Sequence, residues 1–195
     1  MVEYSGSTPM TDTKGYLTPT QVKSIIGATK SYKYKLIFYL ISRTGRRVSE
    51  VVRCLKPNDI DFENNLINFT ILKRKRPVKE LKAVSPKLIK VLKRYIKNEG
   101  IKPDSYIFPI SRQRVDTVLK KVADGVGLGS IGKKRIHIHI LRHSFAIEGA
   151  KKAESPADLV QLKDMLGHAR IDTTMFYLKF NPQDQRKLLD KMWKE

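Results

Sequence analysis

The chain has 195 residues, and its 39 lysines and arginines outnumber its 19 aspartates and glutamates to give a formal net charge of +20. This length suffices for one domain with a sizeable core. A basic surplus of this size favours a polyanionic partner, usually nucleic acid, although a basic ribosomal protein is an alternative. The single Cys54 excludes an internal disulfide, and neither a membrane span nor a signal pattern is present. We therefore expect a soluble, cytoplasmic protein without a membrane partner.

The first half of the chain predicts a tail, three helices and a pair of strands. Residues 1–16 are rich in Ser, Thr, Gly and Pro and lack periodicity, which is typical of a flexible tail or linker stub. Helices are predicted over 18–28, 31–43 and 48–55, and Gly45 ends the second. After a turn region over 57–65, residues 66–73 and 78–84 alternate as paired strands, with Ile67, Phe69 and Ile71 on one face. The connection 74–77 is a charged hairpin tip.

The second half predicts a series of helices. They cover 86–97, 112–126, 140–151, 156–166, 171–178 and 183–194, with a loop over 100–109 and a Gly-rich basic loop over 127–135. No internal repeat is present. The fold class predicted is mainly α with a small antiparallel β-sheet (α+β).

Three ordered segments carry the residues that point to chemistry. They are Thr44-Gly45-Arg46-Arg47-Val48-Ser49-Glu50, then His139-Ile140-Leu141-Arg142-His143, then Gly167-His168 followed by Tyr177. Guanidinium groups suit phosphoryl transfer because they stay charged and bind two oxygens at once. A tyrosine, whose phenol has a pKa of about 10, needs nearby cations or a base before it can attack. The combination indicates attack by a tyrosine on a phosphodiester.

Each of these residues has a structural alternative when it is taken alone. An arginine can contact a helix end or a surface carboxylate, a histidine is usually structural, and a single tyrosine is usually a core or surface aromatic. Metal catalysis is not indicated, because the acidic residues are scattered and no Cys/His set has zinc spacing. The chain also lacks a Gly-rich phosphate loop. We therefore expect no metal, no ATP and no other cofactor.

In their order and separations, the three segments resemble the catalytic domain of the tyrosine recombinases, also called the phage integrase family, in its archaeal, bacterial or Xer-like members. The resemblance covers residues 17–180 as the catalytic domain. It implies a C-terminal helix at 181–195 for exchange between protomers, with packing on its own core as the alternative. Family members carry a helical DNA-binding domain upstream, whereas only residues 1–16 precede this domain. The chain is therefore expected to be either a fragment or a single-domain member.

The resemblance also implies a role for each matching residue. Arg47 takes the fourth place of Thr-Gly-x-Arg, and Arg46 stands where the family usually has an apolar residue, so which arginine points into the site stays open. His139 and Arg142 take the His-x-x-Arg places, and Glu50 the orienting acidic place. His168 is the second histidine and Tyr177 the nucleophile. The general acid is a hairpin lysine: Lys73 is preferred and Lys75 is the alternate, since the usual Gly-Lys-Gly pattern is missing.

The activity implied is site-specific strand exchange in double-stranded DNA through a 3′-phosphotyrosyl intermediate. In the family four protomers act on two DNA sites, giving integration, excision or dimer resolution, and we expect a monomer without DNA. The alternatives are a type IB topoisomerase-like nicking-closing enzyme and a non-catalytic DNA-binding protein. Basic side chains expected to contact DNA are Arg46, Arg74, Lys75, Arg76, Lys79, Lys133, Lys134 and Arg135.

Overall fold

The computed structural model describes residues 15–72 and 77–167. The chain divides into two compact units, Met1–Phe145 and Ala146–Glu195. The predicted class is confirmed, since the described part is mostly helical with small antiparallel sheets. It contains two sheets rather than the one predicted. Among the described residues, no helix has both the length and the apolar character needed to cross a bilayer.

The three predicted N-terminal helices are present as α1 (Pro19–Ala28), α2 (Tyr32–Thr44) and α3 (Val48–Val52). The start of α1 is capped reciprocally: Thr18 Oγ1 accepts from the Gln21 N–H, and the Gln21 side chain accepts from the Thr18 N–H. α2 ends at Gly45, whose φ of 63° is a left-handed conformation that favours glycine. α3 is shorter than the predicted 48–55.

A three-stranded antiparallel sheet follows, in the order β1 (Ile60–Asp61), β2 (Leu66–Ile71) and β3 (Val78–Ala83). The predicted apolar face of β2 is confirmed, because Ile67, Phe69 and Ile71 are all buried. β1 was predicted as part of a turn and was therefore missed. It has only two residues and follows a 3-10 turn at Pro57–Asp59, so it carries no periodic pattern.

The rest of the first unit contains α4 (Pro86–Asn98), α5 (Arg112–Gly125), a hairpin of β4 (Ser130–Ile131) and β5 (Lys134–Arg135), and the start of α6 (His139–Lys152). The prediction of a plain loop over 127–135 was wrong at this hairpin. Ile131 pairs with Lys134, so the turn consists of Gly132 and Lys133, and Gly132 supplies the positive φ of 57°. A two-residue turn that begins with glycine is a hairpin signal.

The core of the first unit holds together the elements that carry the candidate site. Phe38 of α2 and Phe108 of the 100–109 loop are fully buried, and Tyr95 of α4 stacks on Phe108 with ring centroids 5.5 Å apart. Tyr16 and Leu17 are also buried, and the Leu17 N–H donates to Ser144 Oγ at 2.9 Å. The folded part therefore includes Tyr16, which the sequence placed at the end of the tail.

The second unit begins within α6 and contains α7 (Pro156–Leu166). Ser155 and Asp158 cap the start of α7 reciprocally, and Gly167 ends it at a φ of 63°, a left-handed conformation that favours glycine. Gly149 of α6 lies against Leu162 of α7, where an added Cβ would come within 2.7 Å of the leucine Cδ1. The predicted helices over 171–178 and 183–194 lie outside the described residues.

Candidate active site

The carbonyl group of Gly45 joins two of the three sequence segments. Arg142 Nη1 in α6 donates a hydrogen bond to this oxygen at 2.6 Å, across a separation of 97 residues. The positive φ of Gly45 turns the chain out of α2 at this point, and Arg142 is only 9% exposed. The fold therefore brings the first-arginine segment against the His-x-x-Arg helix.

Arg47 is held by a carboxylate three residues later. It is the N-cap residue of α3, and the buried Glu50 accepts both the Arg47 backbone N–H and its Nη1, each at 3.0 Å. The Arg47 side chain remains 21% exposed. A buried carboxylate bonded to the guanidinium restricts the rotamers of Arg47, as an orienting role for Glu50 would require.

Arg46 points into the interior, which corrects its predicted place among the DNA contacts. Its side chain is 1% exposed, its guanidinium lies 5.3 Å from the ring centroid of Phe69, and its Nη1 lies 4.0 Å from Glu80 Oε2. The adjacent Arg47 side chain, by contrast, is 21% exposed. With Arg46 turned toward the sheet, Arg47 is the arginine that remains partly open.

His139 begins α6 in an environment of positive charge. Its pKa lies below the ordinary histidine value, first because the ring is partly desolvated and then because cations surround it. The residues that contribute to this charge effect, in decreasing order, are His137, Arg142, Arg112 and Arg47. Arg47 and Arg142 therefore act on the same imidazole. With a lowered pKa, His139 is neutral at neutral pH and can accept a proton.

Two further imidazoles lie close to this group. The His137 ring centroid is 5.9 Å from that of His139, with the rings edge to face. Burial, and then the charge of His137, also lower the pKa of His143. The segment 137–143 therefore holds three histidines around one cationic region, of which the sequence singled out His139.

Two residues of α5 at this site were missed by sequence reasoning. Arg112 contributes charge at His139, and the half-buried Asp116 accepts the Ile138 N–H at 2.6 Å, one residue before α6 begins. Burial raises the pKa of Asp116, but hydrogen bonds from Lys120 and from the Ile138 N–H outweigh it, and the pKa is lowered overall. The spacing of four residues between Arg112, Asp116 and Lys120, which places them on one helix face, was the available signal.

The predicted DNA-contacting cations that the structure describes differ in their partners. Lys79 Nζ bonds the buried Asp59 at 2.7 Å, and Arg135 Nη2 bonds Asp124 at 2.7 Å. Lys133 and Lys134 are exposed on the β4–β5 hairpin. Ion pairs between exposed groups are weak, so the Arg135 pair leaves its guanidinium available to another anion.

Several predicted site residues lie outside the described residues. They are Lys73, Arg74, Lys75, Arg76, His168 and Tyr177. Gly167, the last described residue, directly precedes His168. Within residues 15–72 and 77–167, no group of three or more His, Cys, Asp or Glu side chains could hold a metal ion.

Comparison with known proteins gives matches over most of the chain. XerA, a tyrosine recombinase of Thermococcus onnurineus, is 31% identical over 180 residues, which are 88% of this chain and 59% of that protein. The chain spans 61% of a second curated relative. Among solved structures, the catalytic domain of bacteriophage HP1 integrase is 21% identical with a TM-score of 0.63, and the match covers 90% of this chain and 93% of that one. The Tn1549 transposon integrase in complex with transposon right end DNA is 19% identical with a TM-score of 0.70, over 93% and 67% of the two chains.

These structural likenesses establish a shared fold, and the curated relatives agree with it. The model of the phage integrase family matches residues 15–184, which include every segment of the candidate site. The chain therefore belongs to the phage integrase family.

Proposed function

We propose that the chain is the catalytic part of a site-specific DNA recombinase that works through a 3′-phosphotyrosyl intermediate. The observation that carries this proposal is the hydrogen bond from Arg142 to the Gly45 carbonyl, which joins the Arg47 segment to the helix that begins at His139. Three cationic or proton-transferring groups thereby lie in one region of a strongly basic chain. Membership of the family and the DNA complex of a similar integrase support DNA as the substrate.

In the proposed first step, the Tyr177 oxygen attacks the scissile phosphorus and forms a phosphotyrosyl ester with the 3′ side of the strand. The bond from phosphorus to the 5′-oxygen breaks, and that oxygen takes a proton from Lys73, with Lys75 as the alternate. Arg47, Arg142 and His168 stabilise the charge on the non-bridging oxygens, and neutral His139 assists by accepting the phenol proton that Tyr177 loses. A 5′-hydroxyl of another strand then attacks the phosphotyrosine and releases Tyr177.

This chemistry exchanges one ester for another, so it needs no ATP. We expect a covalent protein–DNA adduct on a suicide substrate whose cleaved 5′ fragment diffuses away. We also expect the adduct to form at an unchanged rate in excess EDTA, because guanidinium groups take the place of a metal as charge stabilisers. Denaturing gel electrophoresis measures the adduct with and without chelator. Loss of the adduct in EDTA that Mg²⁺ restores would overturn the metal-free mechanism.

Paired recombination sites and supercoiled DNA separate the proposal from its alternatives. Recombinant products from two paired sites support strand exchange, whereas relaxation of supercoiled DNA without such products would indicate a nicking-closing enzyme. DNA binding without any adduct would indicate a non-catalytic protein.

We further propose that four protomers assemble on two sites and that the protein is monomeric without DNA. Mass measurement by light scattering, with and without paired sites, tests this assembly.

The identity of the general acid can be tested with a substrate whose scissile 5′-oxygen is replaced by sulfur. A thiolate leaves without protonation, so the variant that lacks the acid should cleave the oxygen substrate poorly and the sulfur substrate well. We expect this rescue for Lys73→Ala and not for the matched control Lys75→Ala. Rescue of Lys75→Ala alone would exchange the two assignments, and rescue of neither would place the acid elsewhere.

A further inference from the structure

The buried Arg46 lies against a cross-strand pair of the three-stranded sheet. Phe69 of β2 and Glu80 of β3 are directly opposite each other in the antiparallel register. The Arg46 guanidinium is 5.3 Å from the Phe69 ring centroid, and its Nη1 is 4.0 Å from Glu80 Oε2. One side chain thus contacts both strands through two different interactions, a cation–π contact and an ion pair.

Three consecutive residues therefore contact α6, the β2–β3 pair and α3. The Gly45 carbonyl accepts from Arg142 of α6, the Arg46 side chain contacts β2 and β3, and Arg47 is bonded to Glu50 of α3. Each contact holds an element to the same short stretch of backbone. A displacement of the sheet relative to Arg47 would have to break the contacts of Arg46.

An apolar side chain would fill this position at a lower desolvation cost than a guanidinium. Burial of a charged group is unfavourable unless opposite charges compensate it. Here burial lowers the pKa of Arg46, while the charges of Glu50 and Glu80 oppose that shift. Packing alone therefore does not explain an arginine at this position. Its charge interacts with the sheet through Glu80.

β2 and β3 lead directly to the candidate general acids. β2 ends at Ile71 and β3 begins at Val78, so the connection between them contains Lys73 and Lys75. We propose that Arg46 is a positioning residue that fixes the β2–β3 pair relative to Arg47 and Arg142, and that proton donation to the departing 5′-oxygen depends on it. This inference rests on the proposed function.

The proposal predicts which step of the reaction depends on Arg46. Proton transfer requires the acid within hydrogen-bond distance of the leaving oxygen, and a misplacement of about 1 Å can cost roughly 100-fold in rate. Loss of Arg46 should therefore slow the step that needs the lysine and spare a substrate that does not need it. A general weakening of the fold would slow both substrates.

The test measures the rate of adduct formation on the oxygen and sulfur substrates for Arg46→Met, Glu80→Gln and the double variant. Methionine removes the charge while filling similar space, and glutamine keeps the shape of Glu80. We expect Arg46→Met to be roughly 10- to 100-fold slower on the oxygen substrate and near the parent rate on the sulfur substrate. Glu80→Gln should show the same selectivity with a smaller loss. The double variant should be no slower than Arg46→Met, because the two residues act through one contact.

Lys82→Met is the matched control. Lys82 Nζ also pairs with Glu80 Oε2, at 3.4 Å, but it belongs to β3 itself and does not connect the sheet to the Gly45–Arg47 stretch. We expect its rates on both substrates to match those of the parent. Affinity for DNA and the thermal unfolding midpoint are measured for every variant.

The outcomes separate this inference from the proposed function. An equal loss on both substrates, or no loss on the oxygen substrate, overturns the positioning role of Arg46. If Arg46→Met does not fold, Glu80→Gln decides: a selective loss supports the role, and an equal loss or none overturns it. Failure of the parent protein to form an adduct on either substrate overturns the proposed function instead.

Discussion

Replacing Tyr177 with phenylalanine is expected to abolish the covalent protein–DNA adduct and to leave DNA affinity nearly unchanged. The phenol oxygen is the atom that would bond to phosphorus, and phenylalanine has no atom that can replace it. Affinity depends on many phosphate contacts made by a chain of net charge +20, so one uncharged oxygen contributes little to it. Adduct formation on a suicide substrate and a binding titration at fixed salt measure the two quantities.

Tyr106→Phe provides the matched control for this experiment. Tyr106 is exposed, and Lys56 lies over its ring at 5.5 Å, a contact that phenylalanine retains. This variant should form the adduct at the parent rate. An adduct that persists in Tyr177→Phe would remove Tyr177 as the nucleophile and would direct the search to another tyrosine of the chain.

The second large loss of adduct formation is expected when Arg142 is replaced. A guanidinium has five N–H donors, and one of them already serves the Gly45 carbonyl. Lysine keeps the positive charge but cannot hold that carbonyl and bind two phosphate oxygens in a plane. We expect Arg142→Lys to slow adduct formation by roughly 100- to 1,000-fold, the range for loss of one transition-state donor. Arg142→Ala should be slower still.

Stability distinguishes the two Arg142 variants. Alanine leaves the buried Gly45 carbonyl without its donor, which should lower the free energy of unfolding by about 1–3 kcal/mol. Denaturant unfolding measures this loss, and Arg53→Lys, at an exposed arginine with no assigned part in the site, is the control for both assays. Normal cleavage by Arg142→Lys would show that only a positive charge is needed at this position.

The helices that the sequence predicted most accurately are those with strong local signals. α1, α4 and α7 each begin with proline directly after a serine or threonine, and all three start within one residue of the predicted position. These signals act through the backbone of the first turn, so no distant part of the chain is needed to interpret them. β1, β4 and β5 were missed because strands of two residues cannot display a period.

The residues of the candidate site also divide into those whose partners are near in sequence and those whose partners are distant. Glu50 lies only three residues from Arg47, and its orienting role was implied by the family resemblance. The partners of Arg46 and Ile138 are not local: Glu80 is on β3, and Asp116 is 22 residues from Ile138. Local spacing carries no information on such pairs, so the burial of Arg46 and the part played by α5 were not predicted.

The sequence by itself determined the family, the fold class and the order of the residues that carry chemistry, because these depend on short motifs and local periodicity. Only the tertiary structure decided between the adjacent Arg46 and Arg47. Arg46 is buried against Phe69 and Glu80, both distant in sequence, whereas the Arg47 side chain stays 21% exposed. The tertiary structure also decided that Arg142 donates to the Gly45 carbonyl, because packing of α6 against the end of α2 sets the distance between Arg142 Nη1 and that oxygen.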